Sequence, residues 1–487
     1  MSTVRTAPEV TVLPRALGLL DAAAVIVGIV IGAGIFLVPR LVAQALPSPP
    51  LILAVWIVSG VLCFFGALAY AEMGAMMPET GGHYVYLSEC YGPLAGFLCG
   101  WTFTLVVMWA AIAWLGVNFS IALRYFIPVS PLQSKLIALA LIATLSLVNY
   151  RGIRLGAAAQ KTLTVLKVVG LAIIIGSAFL PGRGAAAVDW SLPRGGFSWS
   201  AVGLAMVAIV LCYDGWPCVS YMAGEIRNPS RNIPLGLGLG LAAIVAIYVL
   251  ANIAYLRVLP AAIIATTDNT AAAVAARTLG PAGGTILTLT IMLSIGGAMN
   301  GFIMVAPRLC YAMALDGLMF QKLAVLHPRY QTMSVAIVAQ AVWTSLLVLT
   351  GSFETLVPYA MIAAWFFYGL TVAGVTILRR KYPDRPRPYR MWGYPVMPWL
   401  FTAVALWFVI NTWITQPGPS TVAFLIISSG IPVYYVWRRP GTGSTVPNPN
   451  THKCSNGSSW TVRPVPASPS RRCYPSRLCT RSTLSRS

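Results

Sequence analysis

The sequence predicts an all-α polytopic membrane protein with twelve transmembrane helices, arranged as two inverted five-helix repeats whose first and sixth helices are broken. Three observations predict it. Of 487 residues, 57% are hydrophobic and only 9% charged, with a mean hydropathy of +0.76, whereas a soluble domain carries about 25% charged residues. Apolar runs of about 20 residues, enough to cross roughly 30 Å of hydrocarbon, recur from residue 16 to residue 437. Two of these runs, five apart in order, are interrupted at mid-length by residues that unwind a helix.

The first span, 16–38, contains Val25-Ile-Val-Gly-Ile-Val-Ile-Gly-Ala-Gly-Ile-Phe36. Glycine gives up roughly 1 kcal/mol of helix propensity relative to alanine, so Gly28, Gly32 and Gly34 invite the backbone to open. In lipid an open backbone is tolerated only where it faces protein or a polar cavity. Arg15 leads directly into this span with no small-residue cleavage site, so it does not read as a signal peptide. Spans follow at 51–76, 93–124, 132–149 and 158–180, the last carrying Lys167. The sixth, 198–222, holds Ile209-Val-Leu-Cys-Tyr-Asp-Gly-Trp-Pro217. Asp214 and Gly215 lie mid-run, and Pro217 lacks the backbone donor a helix needs. Further spans are expected at 233–257, 283–312, 333–350, 355–378, 397–415 and 420–437. The long runs at 93–124 and 283–312 predict tilted helices.

Breaks at matched positions five spans apart are the mark of inverted repeats with a site at their interface, here 16–180 and 198–378, with 397–437 appended. Glycine packing faces such as Gly28-xxx-Gly32 explain either break alone less well than both together. A dinucleotide-binding reading of the glycines fails because no β-α-β pattern surrounds them. Residues 1–15 read as a cytoplasmic N-terminus. Residues 440–487 are rich in Ser, Pro, Thr and Arg with no acidic residue, a composition that cannot bury enough apolar surface to fold and that would also suit an out-of-frame end.

With the N-terminus taken as cytoplasmic, inside segments hold eighteen Lys and Arg residues up to Arg439, including the cluster Arg379, Arg380, Lys381, Arg385, Arg387 and Arg390, against seven outside. This positive-inside bias puts both termini in the cytoplasm and accounts for the net charge of +21 as topology. Nucleic acid is therefore not an expected partner; lipid is. The nine cysteines and three histidines show no metal-ligand spacing. No cofactor and no metal is expected, and the absence of a nucleophile–base constellation argues against an enzyme.

The chemistry of the breaks follows from helix ends. Where the outer half of span one restarts, near Gly34 to Phe36, free N–H groups and the positive dipole end suit a carboxylate. Where the inner half of span six ends, near Leu211 to Tyr213, free carbonyls suit an ammonium. Opposed broken helices therefore suit a zwitterion, and a free α-amino acid is the simplest one. Lys167 is costly at mid-span and so reads as functional, a fixed or proton-linked cation bracing the span-one break; the bland alternative is a lysine snorkelling to the interface. Asp214 either neutralises a cationic side chain or supports the unwound segment. Glu72 is expected to form a helix-end or gate salt bridge with Arg308 as its candidate partner, and Asn118 and Asn252 to make interhelical contacts. The Gly81-Gly82 turn with Tyr84 and Tyr86 reads as a short interfacial helix, and Pro234 as the restart of span seven.

Several segments carry a family resemblance: Gly32-Ala-Gly-Ile-Phe36, Pro78-Glu-Thr-Gly-Gly-His-Tyr-Val-Tyr86, Tyr213-Asp-Gly-Trp216, Glu225-Ile-Arg-Asn-Pro-Ser-Arg-Asn-Ile-Pro234, Met299-Asn-Gly301 with Arg308, and Pro383-Asp-Arg-Pro-Arg-Pro-Tyr389. Over residues 12–438 the chain resembles the L-type amino acid transporter branch of the amino acid–polyamine–organocation superfamily. The resemblance implies a LeuT-like fold and sodium-independent transport of L-amino acids, often by exchange. It implies carboxylate binding at Ile31, Gly32, Ala33, Gly34 and Ile35, and amine binding at Leu211, Cys212, Tyr213, Asp214 and Gly215. Lys167 matches a lysine standing where sodium-coupled relatives hold a cation, and Tyr248 a seventh-span residue near the substrate end. Leu211 departs from an aromatic gate often found there, which implies either looser occlusion or occlusion by Trp216 or another ring. Members that pair with a glycoprotein have a cysteine between spans three and four; Arg124 to Leu132 has none, so no disulfide-linked heavy chain is expected.

These readings converge on a multi-pass plasma-membrane protein (inner membrane in a bacterium) that moves amino acids by alternating access, with small neutral ones as the expected substrates. A cationic amino acid or polyamine transporter, and a sensor that binds without transport, are the alternatives.

Overall fold

A chain this apolar satisfies its own backbone N–H and C=O groups in lipid by winding into helices, and the computed structural model shows helices from end to end. It describes residues 13–46, 48–181, 190–191 and 198–438; the expected tail at 440–487 and most of the N-terminal segment lie outside these. Among the described residues there is no strand, only one isolated parallel bridge between Leu17 and Ile226.

The first span is a pair, α1 (Leu19–Val30) and α2 (Gly34–Ala45), bent by 49° at the break. It runs to Ala45, beyond the expected end at residue 38, because the opened turn and the bend consume chain without advancing across the bilayer. Then come α3 (Pro49–Met76), the short α4 (His83–Tyr91), and a third span made of α5 (Pro93–Thr102), a π-turn (Phe103–Met108) and α6 (Trp109–Leu123). Next are α7 (Pro131–Tyr150) and α8 (Ile153–Ser177). The sixth span is α9 (Trp199–Cys212), which continues after its break as a 3₁₀ stretch, Trp216–Glu225. The chain proceeds through α10 (Pro229–Val258), two short helices α11 (Ala261–Thr266) and α12 (Thr270–Leu279), and α13 (Pro281–Leu315). It closes with α14 (Ser334–Thr350), α15 (Phe353–Lys381), α16 (Val396–Thr415) and α17 (Pro417–Trp437). Ten of these stretches are long and apolar enough to cross a membrane, and the α1–α2 pair makes an eleventh. The remaining expected span, α14, has 17 residues, at the lower limit for crossing.

The broken first span is central: α1 packs on α8, α10 and α13. Enclosure separates inner from outer helices. In α13 and α15, 72% of the apolar window is buried, against 22% in α7 and 28% in α17, so the former wall the interior and the latter face lipid.

Four local expectations are corrected. Span seven restarts at Pro229, the first residue of α10, and Pro234 lies inside that helix; Asn228, with φ +46°, makes the turn that lets Pro229 start it. Tyr84 and Tyr86 on α4 are buried against protein and do not stand at headgroup depth; the Tyr84 hydroxyl donates to Asp316 at 2.5 Å. Asn118 and Asn252 each donate to the carbonyl four residues back, Trp114 and Tyr248, at 2.8 Å, so both bonds stay within their helices. Glu72 pairs with Arg379 at 2.6 Å and with Arg387 at 3.5 Å, while Arg308 pairs with Glu225 at 2.5 Å. Each buried carboxylate takes the arginine that the tertiary fold brings to it. Further clasps include Leu17, which exchanges backbone hydrogen bonds with Glu225 and Arg227 at 3.0 and 2.8 Å, and Lys161, which pairs with Asp21 at 2.9 Å.

Candidate functional site

The two breaks meet. α2 begins at Gly34 and α9 ends at Cys212, and a Cβ on Gly34 would stand 2.6 Å from the Cys212 Sγ and 3.4 Å from its Cα. Only glycine permits this approach. The positive end of one half-helix thus abuts the negative end of another. After Cys212 the chain closes two tight turns, Tyr213 N–H donating to Val210 and Asp214 N–H to Leu211. Gly215 then takes φ +105°, with Ile29 of α1 pressed against the space a Cβ would fill.

Three side chains pin the first break. The Lys167 ammonium of α8, fully buried, donates to the carbonyls of Gly28 at 2.7 Å, Ile31 at 2.9 Å and Ser294 at 3.1 Å. All three of its protons have acceptors. A snorkelling ammonium would reach the surface, and this one does not; Lys161 does that, in its pair with Asp21. Ser294 of α13 donates to the Ile31 carbonyl at 2.6 Å. The Tyr248 hydroxyl of α10 lies 2.9 Å from the Val30 carbonyl and 3.1 Å from that of Cys212, joining the two breaks. A polar ladder continues inward: Thr164 donates to the Ala24 carbonyl at 3.1 Å, Asn300 to Gln160 at 2.7 Å, and Asn149 to Asn300 at 2.9 Å.

Above the breaks lies a cavity of about 320 Å³. Gly32, Ala33 and Gly34 line it from the first break, and Leu211, Cys212, Asp214 and Gly215 from the second. Its side walls are apolar: Phe103, Val107, Met108 and Ala111 of span three, Phe302 of α13, and Met361 of α15. Asp214 is the charged residue among those lining it, and its Oδ1 has no hydrogen-bond partner within the described protein.

Of the sequence-predicted residues, seven therefore reach the cavity. Ile31, Ile35 and Tyr213 are fully buried behind it, the Tyr213 hydroxyl donating to the Trp56 carbonyl at 3.2 Å. Lys167 and Tyr248 hold the breaks from behind. Trp216 is corrected as a ring over the cavity: it packs into the core against Tyr70 at 5.0 Å, Tyr368 at 6.0 Å and Phe401 at 6.2 Å, because Gly215 turns the chain away from the pocket. Rings that do line the cavity are Phe103, Trp114, Phe302 and Tyr368. Sequence reasoning missed these and the Ser294 brace. The signal for Ser294 was present, a hydroxyl beside Gly296-Gly297 in an apolar helix, and a Cβ on Gly297 would press within 2.9 Å of the Lys167 ammonium. His83 is buried among Tyr70, Phe103, Tyr221 and Tyr368, with ring centroids 5.0–5.3 Å away, and no three His, Cys, Asp or Glu side chains among the described residues converge as metal ligands.

The sequence pattern of the amino acid permease family matches residues 17–437. The chain is 33% identical over 437 residues to the b(0,+)-type amino acid transporter 1 of Homo sapiens, covering 88% of this chain and 89% of that protein. It is 32% identical over 428 residues to the serine/threonine exchanger SteT of Bacillus subtilis (strain 168), covering 87% and 97% respectively. To the large neutral amino acids transporter small subunit 2 of Mus musculus it is 32% identical over 436 residues, covering 87% and 81%.

Proposed function

This chain belongs to the amino acid permease family, in the L-type branch of the amino acid–polyamine–organocation superfamily, and we propose that it exchanges small neutral L-amino acids across the membrane without sodium. It is a multi-pass, LeuT-like membrane protein, and the family's business is amino acid transport, not chemical conversion. The observation that carries the finer reading is the abutment of opposite half-helix ends under one apolar cavity. The N–H groups of Gly34 and Ile35, the first of α2, precede the helix's own hydrogen-bond ladder and lie where Gly32, Ala33 and Gly34 line the space, suited to the carboxylate. The C-terminal end of α9, where Leu211 and Cys212 line the cavity, carries the negative end of the helix dipole and suits the ammonium. The apolar walls favour an uncharged side chain, since they offer no partner to a desolvated charge.

Sodium independence is supported by Lys167. A cation bound at the break would take the same carbonyls that the ammonium already occupies, at 2.7 and 2.9 Å. Alternating access would then swing α1 and the Trp216–Glu225 stretch against the scaffold. Both termini lie in the cytoplasm in this reading, the membrane is the plasma membrane (a bacterial inner membrane in a bacterium), and no disulfide-linked heavy chain is needed. The test is exchange in proteoliposomes with sodium replaced by choline, competed by a panel of unlabelled amino acids. Uptake that persists in choline and is competed best by alanine, serine or threonine is expected; strict sodium dependence overturns the reading.

A second reading rests on Asp214, which lines the cavity and whose buried Oδ1 has no hydrogen-bond partner among the described residues. There it would pair with a cationic side chain. Asp214→Asn then reduces arginine and lysine uptake selectively, because leaving one member of a buried ion pair alone costs several kcal/mol. Equal loss for neutral and cationic amino acids assigns Asp214 to the broken backbone.

A further inference from the structure

Span three changes its winding where it meets the cavity. Between α5 and α6 the chain forms a π-turn over Phe103–Met108. On an α-helix, two residues five apart point about 140° away from each other. In a π-turn, closed by hydrogen bonds between residues i and i+5, they stack on one face. Phe103 and Met108 stand in that relation, and both line the cavity. The π-turn thus runs along the cavity with both of its end residues on the lining.

The turn is held from outside the cavity. Trp343 of α14 donates its indole Nε1–H to the Leu105 carbonyl, inside the π-turn, at 3.3 Å. Its ring also packs on Trp109, centroids 6.3 Å apart, at the first residue after the turn. Winding over i and i+5 displaces carbonyls from the regular ladder, and an unpaired carbonyl at this depth is costly, so an indole donor there favours the π form over the α form.

We propose that Met108 is a specificity-determining residue that limits the room for the substrate's side chain, and that Trp343 is the positioning residue that keeps it in the cavity. This rests on reading the cavity as the amino acid site. Phe103, Val107, Met108 and Ala111 offer no charged or hydrogen-bonding side-chain atom, so this wall discriminates by size and apolarity. Methionine is long and adaptable, and truncating it opens space.

The test uses the full chain in proteoliposomes, comparing KM for L-alanine and L-phenylalanine. Met108→Ala is expected to improve phenylalanine relative to alanine by about tenfold, the discrimination that roughly a methylene or more supplies in an apolar pocket. Trp343→Phe, which removes the donor and keeps most of the ring, is expected to move the ratio the same way by about threefold, with kcat for alanine little changed. On the Met108→Ala background, Trp343→Phe is expected to add no further shift, since it acts through a side chain already removed. Met108→Leu, conserving volume, is expected to keep the wild-type ratio and guards against a variant that fails to insert. An unchanged ratio in inserted, active Met108→Ala overturns the proposal, as does an equal effect of Trp343→Phe on both substrates or an additive double variant. Failure of the wild type to take up either amino acid would instead overturn the reading of the cavity itself.

Discussion

At the residue scale, Lys167 is buried with every one of its N–H donors engaged. Its ammonium has three carbonyl acceptors from α1, the break and α13, and no carboxylate beside it. Charge-assisted hydrogen bonds of this kind contribute more than neutral ones, and here they tie the opened segment of the first span to α8 and α13. Lys167→Ala is expected to lower turnover by about tenfold or more while leaving insertion intact, because it removes a cation but little packing. The effect should fall on kcat at least as much as on KM, since Lys167 does not line the cavity; a fully active variant would remove it from the mechanism. Its place inside the bundle was legible from the sequence alone, because a lysine in the middle of an apolar span carries a desolvation cost that calls for acceptors nearby. Its acceptors were not. They lie 127 to 139 residues away in sequence, and Ser294, which shares the Ile31 carbonyl, carries no charge to advertise it. Arg308 shows the opposite failure: a visible charge whose partner, Glu225, was chosen by proximity in space.

At the scale of elements, both breaks were readable, because Gly32 and Gly34, and then Asp214, Gly215 and Pro217, weaken helix propensity locally; Gly28, also expected to open the backbone, stays wound in α1, where it lets Gln160 and Thr164 pack close. That the two broken ends touch was not readable. It depends on Gly34 facing Cys212 at less than the distance any Cβ allows. Gly34→Ala is therefore expected to reduce uptake to below about a tenth, an overpacking cost of the usual size. Cys212→Ala in the same chain should restore part of it, since the nearest obstacle is the Sγ and the Cβ beyond it stands at 3.3 Å. If the double variant is as inactive as the single one, the contact is not what fixes the half-helices. The π-turn at Phe103–Met108 belongs to this scale too. Nothing in the run Phe103-Thr-Leu-Val-Val-Met108 departs from an ordinary apolar helix, and the donor that holds it comes from α14.

At the scale of the whole molecule, length and charge carry the topology. An even number of spans and the basic cluster Arg379 to Arg390 predict both ends on the cytoplasmic side. Tags at either terminus should stay inaccessible to an impermeant label in intact cells and become accessible on permeabilisation; labelling from outside would reverse the orientation. Several of the cluster's arginines also have intramolecular work. Arg379 and Arg387 meet Glu72, and Arg385 meets Glu89, tying the segment after α15 to α3 and α4. Exposed pairs of this sort add little, whereas Glu72, 3% exposed, is deeply buried and would be left uncompensated by loss of its arginines.

By itself the sequence determined that this chain is helical, that its apolar runs are long enough to cross a membrane repeatedly, and where two of those runs fail to stay wound. Those properties follow from local physics: the hydropathy of a 20-residue window, the cost of glycine and proline in a helix, and the bias of basic residues toward one side. Only the tertiary structure decided which carbonyls Lys167 holds, which residues form the walls of the cavity, and that Trp216 turns away while Phe103 and Met108 turn in. Each of these depends on groups brought together across long sequence separations, and on a change of helical winding that leaves side-chain chemistry untouched. Periodicity counts residues along one helix, whereas a binding site is made where several helices meet.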